Sequence, residues 1–284
     1  MKVLPSLFLN TQSPNDELWE NFHVNTKLSE KTNPPVSAAA DPIQSLNTAV
    51  NTLHITEIEV VVGGGGKKYP TAHFISLPSF SFEGVSKCFG KVLQDRASSQ
   101  TFSGRSLSLN EIAMLCQISG GRNPKRFLLS DSHNAARFVP SGGALHPLEL
   151  YLLFPKPIQS ESGNAGAEVW HYEPGEHRLE RIACVPLQTI KNCFQYWPDP
   201  GPSVVFLYTG VPKRQSWKYG ARGYRYTILE AGHAAQNLLL CATSMELRAC
   251  PVASFYDDAL HDLLDIDGVS EIAIYSAFVG TPEN

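Results

Sequence analysis

The chain has 284 residues, 43% of them hydrophobic and 18% charged, enough to bury a sizeable core in one large or two ordinary domains. Its formal net charge of −4 argues against nucleic acid or an acidic membrane surface as the main partner. The six cysteines, at 88, 116, 184, 193, 241 and 250, form no C-x-x-C pair and no zinc spacing, so they read as scattered thiols, mostly packing, in a reducing compartment, with no metal expected.

The apolar run at residues 3–9 is broken by Pro5 and is followed by no clear cleavage pattern, which argues against a signal peptide. Nothing approaches the roughly 18 consecutive apolar residues of a membrane span, so a cytoplasmic location is expected. Residues 1–66 are rich in Ser, Thr, Asn and Pro, with a weak helical stretch around 43–53, and Gly63–Gly66 mark a joint. They are not a phosphate loop, because Val61 and Lys68 stand where glycine and Ser or Thr are required. The expected organisation is a partly ordered N-terminal segment, 1–66, wrapping the core or a partner, and a compact domain, 67–284.

Apolar spacing over 107–118 predicts a helix capped by Ser108, with Glu111 three residues on. A strand follows at 148–154, then an insertion-like segment at 160–166 and a hairpin over 170–182. A helix is expected at 186–197 and a strand at 203–211. The strongest helix spans 226–247, with a short one at 257–264 and a last strand at 271–280. Strands alternating with helices give an α/β or α+β layered domain without internal repeats.

Four segments carry chemistry. Arg137-Phe-Val-Pro140-Ser141-Gly142-Gly143 leads into the strand at 148, and its two glycines can present bare N–H groups to a flat ligand; an ordinary loop before a strand is the plainer reading. Arg96 and Ser98 together could hold a phosphate, unless they form a solvated turn. Lys218-Tyr219 lies among four cations and four aromatic rings in 214–226; a lysine beside a phenol can lower the phenol's pKa, and the alternative is a surface loop. Glu230, His233, Asn237, Cys241 and Ser244 make a polar stripe on the long helix, a satisfied seam or subunit interface if nothing more. Neither H-E-x-x-H nor G-x-S-x-G is present, since Val139 occupies the first glycine position before Ser141.

In order, these segments resemble the azoline oxidases, the SagB-type dehydrogenase branch of the nitroreductase-like flavoproteins. The matching stretches are 20–27, 68–78, 96–102, 107–111, 137–151, 218–225, 230–240 and 251–258. The resemblance implies an α+β nitroreductase fold, with a mostly antiparallel central sheet flanked by helices, and a homodimer with FMN at its interface. Arg96 and Ser98 would sit at the phosphate or ribityl end, with Gln100 where relatives often carry a second basic residue. Arg137, Pro140, Ser141, Gly142 and Gly143 would line the flavin ring, and Asn237 and Ser254 would add contacts. Lys218-Tyr219 matches the family's catalytic Lys-Tyr motif. The implied reaction oxidises a thiazoline or oxazoline of a peptide or carrier-bound intermediate to thiazole or oxazole, with the flavin reoxidised by O₂. A cyclodehydratase or carrier protein is expected to deliver the substrate. The alternatives are an NAD(P)H-dependent FMN nitro- or quinone reductase, or a flavin-binding scaffold subunit without catalysis.

Overall fold

A seven-stranded antiparallel sheet organises the domain. The computed structural model describes residues 66–79, 82, 87–127, 135–158 and 166–283. The strands are β1 (Phe74–Ser76), β2 (Arg122–Phe127), β3 (Ala135–Arg137), β4 (Leu148–Phe154), β5 (Ala167–Glu173), β6 (Arg178–Val185), β7 (Val204–Gly210), β8 (Arg248–Val252) and β9 (Ile272–Gly280). The helices are α1 (Phe89–Asp95), α2 (Leu109–Gly120), α3 (Leu187–Lys191), α4 (Lys213–Tyr219), α5 (Arg222–Ser244) and α6 (Asp257–Leu264). The main sheet runs β1-β6-β5-β4-β7-β9-β8, and β2 and β3 form a separate ribbon.

Alternation along the central strands divides the core between the two faces. Leu150, Leu152, Phe206 and Tyr208 face α2 and α5, meeting Ile112, Leu115, Ala234 and Leu238. Tyr151, Leu153, Val205 and Leu207 face the other way, toward Ile190 of α3 and Leu260 and Leu264 of α6. All seven residues of β4 and of β7 are buried, because helices cover both faces. Truncating a fully buried leucine such as Leu152 or Leu238 to alanine costs about 2–5 kcal/mol.

α2 begins where its capping box predicts: Ser108 Oγ accepts from the Glu111 N–H, and the Glu111 carboxylate accepts from the Ser108 N–H at 2.6 Å. The hairpin, α6, and the strands at β7 and β9 also lie where the sequence puts them. α5 starts four residues earlier than its apolar spacing indicates, at Arg222. The helix expected over 186–197 stops at Lys191 instead. There the chain tightens, with the Cys193 and Phe194 N–H groups donating to Ile190 and Lys191, and Phe194 turns in to bridge Phe255 and pack on Phe278. Residues 1–65, with the weak helix at 43–53, and most of the 160–166 segment lie outside the described residues.

The segment around Lys218 is helical rather than a loop. Pro212 sits at the N-cap of α4, and Gly220, at φ 55°, ends it. Proline at a helix start and a positive-φ glycine at its end are the usual brackets of a short helix.

Candidate active site

Strand register brings the glycine loop and the Lys-Tyr pair to one place. β4 and β7 are antiparallel, with Leu148 opposite Gly210, so the loop leading into β4 and the helix leaving β7 share one end of the sheet. The Val211 N–H donates to Pro147 O at 2.8 Å, fixing the two crossings together. Positions some eighty residues apart thus become neighbours.

The loop is sharply wound. Gly143, Ala144 and His146 all have positive φ, at 65°, 56° and 46°. Two of these are not glycine, and such strain persists only where the surroundings hold it. The hold is visible: Ser141 Oγ accepts from the His146 N–H at 2.9 Å, and the Ala144 N–H donates to Ser141 O. Ser141 therefore turns its hydroxyl into the loop, while Gly143 stays exposed and Gly142 half-buried.

Against these glycines stands one face of α4. Gln215, Lys218 and Tyr219 are three and four residues apart, hence on the same side of the helix. A Cβ at Gly143 would lie 2.7 Å from Tyr219 Oη and 3.1 Å from Lys218 Nζ; one at Gly142 would lie 3.2 Å from Gln215 Oε1. Lys218 Nζ stands 5.4 Å from the Tyr219 ring centre, and Tyr226 meets that ring edge-on at 5.1 Å. The expected lowering of the phenol pKa does not occur. Burial, reinforced by Tyr226, raises Tyr219 above its ordinary value. The Lys218 ammonium is exposed, where water screens its influence.

Beneath the loop lies a buried charged layer. Glu149, from β4, binds Arg214 at 2.6 Å and His171 at 3.0 Å, and Arg214 donates to His146 O. Burial alone would raise Glu149, but Arg214 and His171 outweigh it and hold the carboxyl well below its usual range. His171 is clasped on its other side by Glu180 at 3.2 Å; these two carboxylates overcome its burial and raise its pKa. Glu230 of α5 behaves oppositely. Burial pushes it up to about 7, against the pull of Ser141, Arg137 and Arg214. His146 is driven down to about 3 by burial and by Arg137, Arg122 and Arg214, so it is neutral.

The remaining predicted residues are distributed elsewhere. Arg137 turns inward, donating from Nη1 to Leu148 O at 3.4 Å, and Pro140 is exposed on the loop. Arg96 reaches Ser98 Oγ at 3.5 Å, Ser98 forms a bridge to Ala249, and Gln100 reaches the Cys250 thiol. Ala249 pairs with Val279, and Val279 with Val204. That is the end of β7 opposite Gly210, roughly 20 Å away along the strand. One chain therefore does not gather the Arg96 group and the glycine loop. Asn237 donates to Ile118 O, tying α5 to α2, and Ser254 is exposed beyond β8. The polar stripe of α5 divides too: Glu230 is buried at the site, His233 is exposed, and Ser244 donates to the helix's own Cys241 O. Arg214 and Gln215, which the sequence reading passed over, are as close to the loop as the expected pair.

The scaffold is that of oxidoreductases built on a broad antiparallel sheet crossed by a long helix. Within that class the chain belongs to the nitroreductase family, which its residues 93–280 match. It is 30% identical over 181 residues to the candidate nitroreductase MJ1384 of Methanocaldococcus jannaschii, covering 62% of this chain and 83% of that protein. It is 27% identical over 157 residues to the microcin B17-processing protein McbC of Escherichia coli, covering 54% and 57%. With the trifolitoxin-processing protein TfxB of Rhizobium leguminosarum bv. trifolii it shares 27% over 179 residues, covering 61% and 47%. The chain thus spans about half the length of these two processing proteins. It shares its fold with a chain of the E. coli microcin synthetase McbBCD complex bound to truncated pro-MccB17, at TM-score 0.58 and 20% identity over 94% of this chain and 92% of that one. A candidate nitroreductase from Ralstonia eutropha superposes at TM-score 0.60, with 18% identity, over 76% and 93%. Among the described residues no helix is long and apolar enough to cross a membrane.

Proposed function

We propose that the chain is an FMN-dependent oxidoreductase of the azoline-oxidase branch, converting a thiazoline or oxazoline in a peptide or carrier-bound intermediate to the aromatic ring. The observation that carries this reading is the approach of Tyr219 Oη and Lys218 Nζ to the bare backbone of Gly143. A turn without side chains, beside an exposed ammonium and a half-buried phenol, fits a flat ring with a reacting carbon above it. Arg96 and Ser98 fit a phosphate, the guanidinium offering a planar fork and the hydroxyl a further donor. Because the two groups stand at opposite ends of the sheet, the Arg96 group of one copy would serve the glycine loop of another, which makes the working unit a homodimer.

FMN bound there would supply the acceptor for the hydride leaving Cβ, with O₂ as the final electron acceptor. The protein's task is the Cα proton. Tyr219, holding its own proton more tightly than an ordinary phenol, orients the ring by hydrogen bonding, and solvent-facing Lys218, acting in its free-amine form with an open lone pair, would take the proton and become the ammonium. Gly142 and Gly143 keep side chains out of the approach, and α4 fixes both functional groups on one helical face. The likeness to McbC and to a chain of the McbBCD complex supports substrate delivery by a cyclodehydratase-type partner.

Lys218→Ala and Tyr219→Phe should each retain flavin and the dimer yet lose oxidation of an azoline-containing peptide under air. Unchanged turnover in both variants would remove the pair from the mechanism. The M. jannaschii relative favours a second reading, an NAD(P)H-dependent reductase. It predicts rapid bleaching of the flavin by NADPH and indifference to azolines.

A further inference from the structure

Gln215 is fully buried, yet its Oε1 has no hydrogen-bond donor among the described residues. That orphaned oxygen is the amide atom nearer Gly142, 3.2 Å from where a Cβ would stand against 3.6 Å for Nε2, while Nε2 donates to Glu230 Oε2 at 3.4 Å. A buried acceptor without a partner is costly, so its orientation needs a cause. Glu230 supplies one. An ionised carboxylate only accepts, and it compels the amide to present its NH₂ group. A protonated carboxyl also donates, and two unpartnered acceptors flank it, the neutral His146 ring, whose Nδ1 stays 3.9 Å away, and Gln215 Oε1, which comes within reach when the amide turns over in place. The NH₂ group then faces the glycine turn, and the orphan is satisfied.

We propose that Glu230 is a positioning residue, whose proton decides which end of the Gln215 amide, oxygen or NH₂, meets the Gly142–Gly143 turn. The proposal rests on the reading of that turn as a ligand-binding surface, and it makes the hydrogen bonding offered there depend on pH. The surroundings support a carboxyl that changes state. From the loop side Glu230 faces Ser141, Arg137 and neutral His146, whose Nδ1 lies 3.9 Å away, beyond hydrogen-bond range. From α4 it faces Arg214 and Gln215. Across a small cavity shared with Arg137 lie Glu149, Tyr172 and Tyr208. The two guanidiniums favour the carboxylate and burial favours the acid, which together leave the carboxyl at about 7. Both amide orientations are then populated near neutral pH.

The test is a titration of the purified full-length chain as isolated, with ¹³C-labelled glutamate carboxyls and ¹⁵N-labelled glutamine side chains, followed by NMR between about pH 5 and pH 9. Glu230→Gln, which keeps the shape, assigns the carboxyl; Gln215→Met assigns the amide. The expected result is one carboxyl, absent from Glu230→Gln, titrating near neutrality, with the Gln215 side-chain resonance moving at the same midpoint. In Glu230→Gln that resonance should be independent of pH. A Gln215 signal that stays still while Glu230 titrates, or a Glu230 that does not titrate in this range, overturns the proposal. These spectra do not depend on turnover. An enzyme inactive on azolines but showing the coupled titration would lose the proposed function and keep this inference, and an active one with a still Gln215 would do the reverse.

Discussion

Replacing Gly143 by alanine would add a methyl group where the structure has no room and the backbone little tolerance. At φ 65° and ψ 15° an L-residue costs roughly 1 kcal/mol more than glycine. The new Cβ would sit 2.7 Å from Tyr219 Oη, closer than such atoms approach, so the phenol must give way. Its ring is held edge-on against Tyr226, a contact worth about 1 kcal/mol, much of which would be forfeited. Gly143→Ala should therefore destabilise the protein by about 2 kcal/mol, half of it through Tyr219. A double-mutant cycle isolates that half. In a Tyr219→Phe background the offending oxygen is gone, and the closest remaining atom is the tip of the flexible Lys218 side chain at 3.1 Å. There the same substitution should cost about 1 kcal/mol, giving a coupling of about 1 kcal/mol. Urea unfolding followed by fluorescence, at matched protein concentration, measures it. A coupling within about 0.3 kcal/mol of zero would mean that Tyr219 does not rest on the glycine turn, and the site as described would be wrong.

Two further outcomes concern the layer under the loop. Glu230 has a folded pKa raised from 4.5 to about 7, so its contribution is fully present below 4.5 and is lost as pH rises through 7. Above that, the ionised carboxylate costs about 3 kcal/mol, and Glu230→Gln should flatten the stability profile and match or exceed the parent at alkaline pH; a profile parallel to the parent's would refute this. Glu149 is the reverse case. Its lowered pKa gives stability that is present above about 4.5 and lost as pH falls. Glu149→Gln leaves Arg214 without its carboxylate and His171 with Glu180 alone, and should cost about 3–5 kcal/mol at neutral pH, with a weaker loss on acidification than the parent shows. Denaturant midpoints across pH check both.

Legibility in the sequence followed locality. α2 was readable because Ser108 and Glu111 form their cap within one turn. β4 was readable as an apolar run of strand length interrupted only by Glu149, and that glutamate was itself a signal: a carboxylate in a strand covered on both faces must meet a counter-charge. Which counter-charge it meets depends on register. Arg214 and His171 lie 65 and 22 residues away and arrive through the pairing of β4 with β7 and β5. α4 was hidden because Lys213–Tyr219 has no apolar stripe, and only Pro212 and Gly220 betray it. Gln215 carried no local signal at all; its meaning comes from Glu230, Gly142 and its own missing partner. The separation of Arg96 and Ser98 from the glycine turn is likewise a property of strand order rather than of any motif.

The most direct test of the central claim is anaerobic mixing of the purified chain with an azoline-containing peptide while the flavin absorbance is followed. Loss of the yellow absorbance in the parent protein, its return on admitting air, and no loss in Lys218→Ala with flavin still bound are the predicted results. A flavin that stays oxidised with the azoline yet bleaches at once with NADPH, or a protein that takes up no flavin, would contradict the account.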